Sequence, residues 1–133
     1  MLNKIFMTGL SVTFFAVSLM ADQSLKSALS LDVEQARQVD AIQAKYRVPF
    51  AAKRQVQNQE LRKLRRARIA NDSKQMAEQE QVTNRLHEEL RQIRVNEDEE
   101  IRRVLRPAQL QKFEEYRKLR KEMIGSSRDD KDF

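Results

Sequence analysis

The chain has 133 residues, enough for one small domain, and its 26 Lys and Arg outnumber its 20 Asp and Glu, for a formal net charge of +6. Two glycines, two prolines and few aromatic residues argue against a β-rich fold, whereas the abundant Gln, Glu, Arg, Lys, Ala and Leu favour helices. With 35% charged residues the chain cannot build a large core, so we expect an all-α protein of long, exposed helices. No cysteine is present, which excludes a disulfide framework.

The first 21 residues have the pattern of a secretory signal peptide. Lys4 gives a positive start, residues 5–20 are largely apolar, and Ala21 precedes an abrupt change to polar sequence. We predict cleavage after Ala21 and a periplasmic protein, with cleavage after Ser18 as an alternative. An uncleaved membrane anchor is a further alternative, although about 16 apolar residues are short for a span of about 20. After cleavage we expect no stable membrane insertion. Export argues against nucleic acid as the partner of this basic chain and favours acidic protein surfaces or anionic lipid.

The first predicted helix begins after Asp32. This residue is a suitable N-cap, and Gln35 stands at the position that completes a capping box. Apolar residues at steps of three and four continue the helix to Pro49, where the missing amide donor predicts a kink or a break at residues 47–50. The helix then resumes and ends at the polar stop-and-cap signal Asn71-Asp72-Ser73.

A longer helix is predicted from about Ser73 to Leu105, a length of roughly 50 Å. Glu97 falls on its apolar stripe, so we expect imperfect packing there. The acidic run that begins at Glu97 precedes two arginines. We expect pairing within the helix, as Asp98–Arg102 and Glu99–Arg103, or else contact with a basic surface across a dimer.

The last predicted helix begins with Pro107 as its first residue and ends with Gly125 as a C-cap. The predicted helical domain is therefore residues 22–125, followed by a flexible tail at residues 126–133. The stripe residues expected to be structural are Val39, Ile42, Leu86, Leu90, Ile93, Leu110 and Phe113.

Two helix starts share the pattern Leu-x-x-x-Gln. The first is Leu31-Asp32-Val33-Glu34-Gln35, and the second is Leu105-Arg106-Pro107-Ala108-Gln109. In each copy the leucine would anchor the start of the helix and the glutamine would satisfy first-turn amides. Arg106 is a poor N-cap, so in the second copy Gln109 or water must satisfy more of the first-turn amides.

These paired segments resemble the LTxxQ motifs of the Spy/CpxP family of periplasmic chaperones and envelope-stress proteins. The likeness covers residues 29–123 and includes the order of signal peptide, first motif, long helix and second motif followed by Phe113. The chain departs from the family pattern at Asp32 and Arg106, where the family has Thr, and at Ala108, where Glu is usual.

The resemblance implies a fold, a function and partners. The fold would be a hooked hairpin of long bent helices, forming an antiparallel, cradle-shaped homodimer. Its basic concave face would bind unfolded or misfolded envelope proteins without ATP. As an alternative, the resemblance implies an accessory regulator that docks on the periplasmic sensor domain of a two-component kinase.

The candidate binding surface is the segment LRKLRRARIA, which we call the basic cluster. Five cations fall within seven positions, and such a surface can attract acidic chains and hold their apolar parts loosely. The alternative is a solvated face paired with nearby acids, although few acids are near in sequence. The predicted partner-binding residues are Leu61, Arg62, Lys63, Leu64, Arg65, Arg66 and Arg68.

Metal binding is a second alternative, because relatives in the superfamily bind zinc, nickel or cobalt. Such sites need imidazoles or thiolates with carboxylates, and this chain has one histidine, His87, and no cysteine. We predict no metal and no cofactor, and leave open a weak site formed by two His87 side chains across a dimer. We also expect no enzyme, because the sequence has no Ser/His/Asp order with supporting glycines, no Gly-rich phosphate loop and no carboxylate pair in an apolar context.

Overall fold

The computed structural model describes residues 25–129 of the chain, with side chains as far as Glu122. The predicted signal peptide lies outside this part, as do residues 130–133. The regular elements of the described part are all helices: α1 Leu25–Leu29, α2 Val33–Ile69, α3 Ser73–Val104 and α4 Pro107–Asp129. The predicted all-α class is confirmed for these residues, and α1 was not among the predicted helices.

α2 and α3 form an antiparallel hairpin whose two helices exchange ion pairs along their length. Near the start of α2, Lys45 contacts Glu100 at 2.6 Å, and near its end Arg68 contacts Glu80 at 3.6 Å. The 37 residues of α2 extend over about 55 Å. The hairpin is therefore long and thin, as the composition predicts.

The α2 face that meets α3 repeats every seven residues. Its members are all buried or half-buried: Val39, Gln43, Tyr46, Phe50, Lys53, Gln57, Glu60, Leu64 and Ala67. This alternation of three and four residues is typical of coiled coils. Three central positions, Lys53, Gln57 and Glu60, are polar, so the α2 side of the contact is apolar only toward its two ends.

The turn between the helices is confirmed as predicted. Asn71 has a φ of 52°, the left-handed conformation that asparagine tolerates at the end of a helix. The amide of Asp72 donates to the carbonyl of Ala67 at 3.0 Å, which closes the end of α2. The Asp72 carboxylate in turn accepts from the amide of Gln75 at 3.0 Å and caps α3.

Pro49 does not end α2, so of the two predicted alternatives, a kink or a break, the break is wrong. The helix continues from Val33 through the proline to Ile69. Proline removes one hydrogen bond from the helix, but contacts with α3 hold the following turn in place. The Arg94 guanidinium lies 3.9 Å from the centre of the Phe50 ring, and Lys53 contacts Glu89 at 2.6 Å. Packing against a partner helix therefore outweighs the local preference of the proline.

Gly125 does not end α4 either. The helix continues to Asp129, four residues beyond the glycine at which the sequence predicts a C-cap. Glycine is a weak helix former but does not force a stop, because it lacks the clash and the missing donor that proline brings.

The main apolar core lies where α1 and α4 join the open end of the hairpin, a region we call the four-helix end. Its fully buried residues include Leu29, Val39, Ile101 and Phe113, the last with no exposed surface. The other members are Leu25 and Leu105, with Leu31, Ile42, Val104, Leu110 and Tyr116 packed around them. Four of the predicted stripe residues, Val39, Ile42, Leu110 and Phe113, are confirmed in this core. Leu86 and Leu90 are buried farther along α3, where Ile93 is half-buried.

Both predicted capping arrangements form. The Asp32 carboxylate accepts from the backbone amide of Gln35 at 2.8 Å, and the Gln35 side-chain oxygen accepts from the backbone amide of Asp32 at 3.3 Å. These two bonds form a complete capping box. In the second copy Gln109 accepts from the Arg106 amide at 2.9 Å. Of the two alternatives for the second helix start, the glutamine side chain is the one observed.

The two motifs also bind each other. The amide groups of Gln35 and Gln109 form a reciprocal pair, each donating its Nε2 to the Oε1 of the other, at 2.8 Å and 3.0 Å. Gln35 Nε2 also donates to the Val104 carbonyl at 3.0 Å. Both glutamines are buried, so the two bonds between their side chains are shielded from water. The starts of α2 and α4 are thereby tied together.

The two positions at which the chain lacks the threonine of the LTxxQ pattern are also in contact. The Arg106 guanidinium lies 2.7 Å from the Asp32 carboxylate. Asp32 therefore has two roles, since its other oxygen caps α2. This charged pair adds a further contact between the two helix starts.

Candidate functional site

The basic cluster is divided between two faces of α2. Leu64 is buried against α3 together with Ala67, so the prediction that Leu64 belongs to the binding surface is wrong. Leu64 lies on the heptad positions of α2, and that spacing turns it toward the partner helix. Leu61 is 37% exposed and Ile69 is 84% exposed, so these two supply the apolar part of the outer surface.

Two of the five cluster cations have acidic partners. Lys63 contacts Glu60 at 2.8 Å, and Arg68 contacts Glu80 of α3 at 3.6 Å. The cation of each pair is more than half exposed to solvent, so each pair contributes little to stability. The alternative that the basic cluster is paired with nearby acids is therefore confirmed for Lys63 and Arg68.

The remaining three cations, Arg62, Arg65 and Arg66, are exposed and have no ion pair or hydrogen bond among the described residues. Together with Ile69 they line an open depression on the outside of α2. Positions 62, 65 and 69 follow the three-and-four spacing of one helical face, with Arg66 beside it. Guanidinium groups therefore surround an exposed isoleucine.

Two further arginines extend this surface toward the four-helix end. Arg54 lines a second open depression that reaches from Phe50 to Arg62, and Arg47 precedes it by two helical turns. Both are exposed and lack acidic partners among the described residues. We call the five unpaired side chains the arginine strip; its members are Arg47, Arg54, Arg62, Arg65 and Arg66.

The arginine strip was only partly predicted, and the signal that would have revealed it is charge imbalance over a longer window. Residues 41–71 hold nine Lys and Arg, with Glu60 as the one carboxylate. Four of these cations have acidic partners, Lys45, Lys53, Lys63 and Arg68. The sequence shows the excess of positive charge, but only the position of α3 shows which cations have no acidic partner among the described residues.

The acidic run of α3 does not form the predicted intrahelical pairs. Asp98 is bound instead by α4, with Arg117 Nε at 2.6 Å and Arg120 Nη2 at 3.1 Å. Arg102 contacts Glu114 of α4 at 2.8 Å. The spacing of four residues allows Asp98 to pair with Arg102 within α3. In the structure, α4 instead places Arg117 and Arg120 against Asp98.

Glu97 and Asp98 are adjacent carboxylates, and both are buried. Glu97 was predicted to lie on the packed stripe of α3, whereas the burial of Asp98 beside it was not predicted. Burial raises the pKa of Glu97, the Arg94 guanidinium at 3.2 Å opposes this rise, and the neighbouring Asp98 adds to it. Arginines pair with both carboxylates: Arg94 of α3 with Glu97, and Arg117 and Arg120 of α4 with Asp98. Asp98 therefore attaches α4 to α3, whereas Glu97 pairs within α3.

Neither a metal centre nor a membrane-spanning helix is present in residues 25–129. No three His, Cys, Asp or Glu side chains of this part are grouped so that they could hold a metal ion. His87 is exposed on α3. None of the helices in the same part combines the length and apolar character that crossing a membrane requires.

Comparison of the chain with protein-family models, with curated proteins and with solved structures found no match. The function must therefore be argued from the geometry and from the motif resemblance.

Proposed function

We propose that the protein is an ATP-independent chaperone or envelope-stress protein that binds unfolded or misfolded proteins. The observation that carries this proposal is the outer surface around Ile69, where an exposed apolar side chain is surrounded by unpaired Arg62, Arg65 and Arg66. The charges would attract acidic segments of a client, and the apolar atoms of Leu61 and Ile69 would contact its apolar side chains. Binding of this kind is weak and reversible, which suits a chaperone that uses no nucleotide.

The resemblance of the two Leu-x-x-x-Gln motifs to the Spy/CpxP family supports the same proposal. In this view the protein acts in the periplasm as a homodimer, with two hairpins forming a hooked, cradle-shaped body. The paired glutamines support the resemblance in one respect, because they give both motifs a shared structural role at the starts of α2 and α4.

The proposal is tested by light scattering from a model client that aggregates after dilution from denaturant. The mature protein should suppress scattering without ATP, and the R62Q/R65Q/R66Q variant should suppress it several-fold less. The matched control removes the same charge from exposed, unpaired lysines of α4; it is K112Q/K118Q/K121Q. The control should protect as well as the native protein.

Two outcomes would count against the proposal. Equal protection by the native protein and by R62Q/R65Q/R66Q would remove the basic cluster from the site. No protection at several-fold molar excess would overturn chaperone activity, and the regulator of a kinase sensor domain would then be the better proposal. Tight binding of one such domain without protection of unrelated clients would support it.

A further inference from the structure

The nine Lys and Arg side chains of residues 41–71 fall into two groups that differ in the side of α2 on which they lie and in their chemistry. Those with acidic partners lie toward α3 or beside Glu60, and three of the four are lysines. Those without partners, the arginine strip, are all arginines and are all exposed. Arginine presents a planar fork of donors that matches phosphate and carboxylate groups, so the unpaired group is the one better suited to bind anions.

The arginine strip is long and follows one side of the helix. From Arg47 to Arg66 the helix rises about 28 Å. At 100° per residue the five positions fall within an arc of about 120°, opposite the side that buries Leu64 and Ala67. Glu60, the one carboxylate of residues 41–71, lies on the α3 side of the helix and is half-buried. From Arg47 to Arg66 the outer side of α2 is therefore a row of positive charge without interspersed acids.

The shape of this row suits a flat partner better than a folded polypeptide. Its two depressions are open, and α3 lies behind α2, so no second helix provides a wall. A specific protein interface buries about 800 Å² on each side, which a single row of separated arginines does not offer. A phospholipid surface needs no enclosing groove, because each basic residue near it interacts with headgroup phosphates independently.

We propose that the arginine strip docks α2 lengthwise on an anionic phospholipid surface. This goes beyond client binding, because it involves Arg47 and Arg54, which lie outside the basic cluster. Docking is peripheral: the guanidinium groups contact lipid phosphates, and Ile69 at the end of the strip touches the interface. The attraction is electrostatic, so it falls as salt screens the charges.

The test is flotation of the protein that remains after cleavage of the predicted signal peptide. It is mixed with phospholipid vesicles of neutral phosphatidylcholine alone or with added phosphatidylglycerol. Every variant begins at the same residue as the native protein, so differences in vesicle binding report on α2. The native protein should float with the anionic vesicles at low salt and should be released at high salt. Each basic residue near an anionic surface contributes about fivefold to partitioning. We therefore expect R47Q/R54Q to lower it by roughly 20-fold and R62Q/R65Q/R66Q by roughly 100-fold.

Matched controls separate the strip from net charge alone. The variants K118Q/K121Q and K112Q/K118Q/K121Q remove the same charge from α4 and should each lower partitioning by less than about fivefold. Changing Arg62, Arg65 and Arg66 to lysine should retain most vesicle binding, because a lipid surface responds to charge. Circular dichroism should show equal helicity throughout, since none of the changed side chains is buried or paired.

The proposal would be overturned by equal loss of vesicle binding in the α4 controls, or by no binding of the native protein at low salt. Loss of binding in R62Q/R65Q/R66Q with none in R47Q/R54Q would also overturn it, because that result indicates a local site and not a strip. If vesicles fail to bind while R62Q/R65Q/R66Q loses client protection, the membrane proposal fails and the chaperone proposal stands. If the protein binds anionic vesicles but does not protect the client, the membrane proposal stands and the chaperone proposal fails.

Discussion

At the four-helix end, α1 and the first turns of α4 pack around an apolar core, and buried amide groups join the starts of α2 and α4. At the other end of the hairpin, which we call the distal arm, two helices share a thin contact, and the outside of α2 is positively charged. Ile69 illustrates the contrast, since an isoleucine in the core would be buried and this one is 84% exposed. α2 runs through both regions: its first turns contribute to the stability of the core, and its later turns carry the charged surface. Mutations can therefore separate the two.

The largest expected effect is in the core. Phe113→Ala should lower the free energy of unfolding by about 4 kcal/mol, because the ring is fully buried and its removal leaves a cavity. The matched change Ile69→Ala in the distal arm should alter it by less than about 0.5 kcal/mol. Urea denaturation followed by circular dichroism measures both. Similar losses from the two substitutions would contradict the division of the molecule.

The paired glutamines should come next. Gln35→Ala or Gln109→Ala should each cost about 2 kcal/mol, because each leaves the buried amide of the other without its partner. The double variant should cost less than the sum of the two single variants by about 1 kcal/mol or more. A double-mutant cycle from urea unfolding tests this coupling. Additive losses would mean that each glutamine acts only within its own helix.

The attachment of α4 to α3 should contribute a smaller amount. Asp98→Asn should lower stability by about 1.5 kcal/mol, since it removes the charge that Arg117 and Arg120 share. The effect is limited because both arginines remain about a third exposed and can be hydrated. Glu99→Gln, an exposed change of equal charge on the same helix, is the control and should be close to neutral. Thermal unfolding of the two variants gives the comparison, and equal shifts would argue against the Asp98 pairs.

The smallest effect concerns pH. Burial raises the pKa of Glu97 in the folded protein, so the folded state holds this proton at pH values where the unfolded state has lost it. The contribution of this group to stability therefore falls as pH rises from the ordinary carboxyl pKa through the raised one, and stays lower above it. Glu97→Gln should remove this dependence and slightly raise stability at neutral pH. Unfolding midpoints of both proteins across the acidic range would show the two curves converging at low pH, whereas parallel curves would exclude the effect.

The helix boundaries that depend on local chemistry were predictable from the sequence. Asp32 caps α2 and Pro107 starts α4, since each needs only its neighbours in the chain. The break predicted as one alternative at Pro49 does not form, because the effect of the proline depends on contacts with α3 that local preference does not contain. Asp98 was misjudged for the same reason, since spacing within α3 says nothing about where α4 lies.

The candidate site was predictable to a similar extent. The basic cluster was evident from composition, but Leu64 was assigned to the wrong side because the heptad repeat of α2 had not been recognised. The paired and unpaired cations look alike in sequence, and they separate only when α3 is placed against α2. Arg47 and Arg54 were therefore overlooked, although the shortage of acids in residues 41–71 was visible.

The core takes residues from both ends of the described chain, with Leu25 and Leu29 at one extreme and Phe113 at the other. During synthesis from the N-terminus, α2 and α3 are therefore made before the ring that completes the core is added. Until then the hairpin has only its thin, partly polar contact, and helices of this kind gain most of their stability from packing. The order of synthesis consequently makes α4 the element that closes the core.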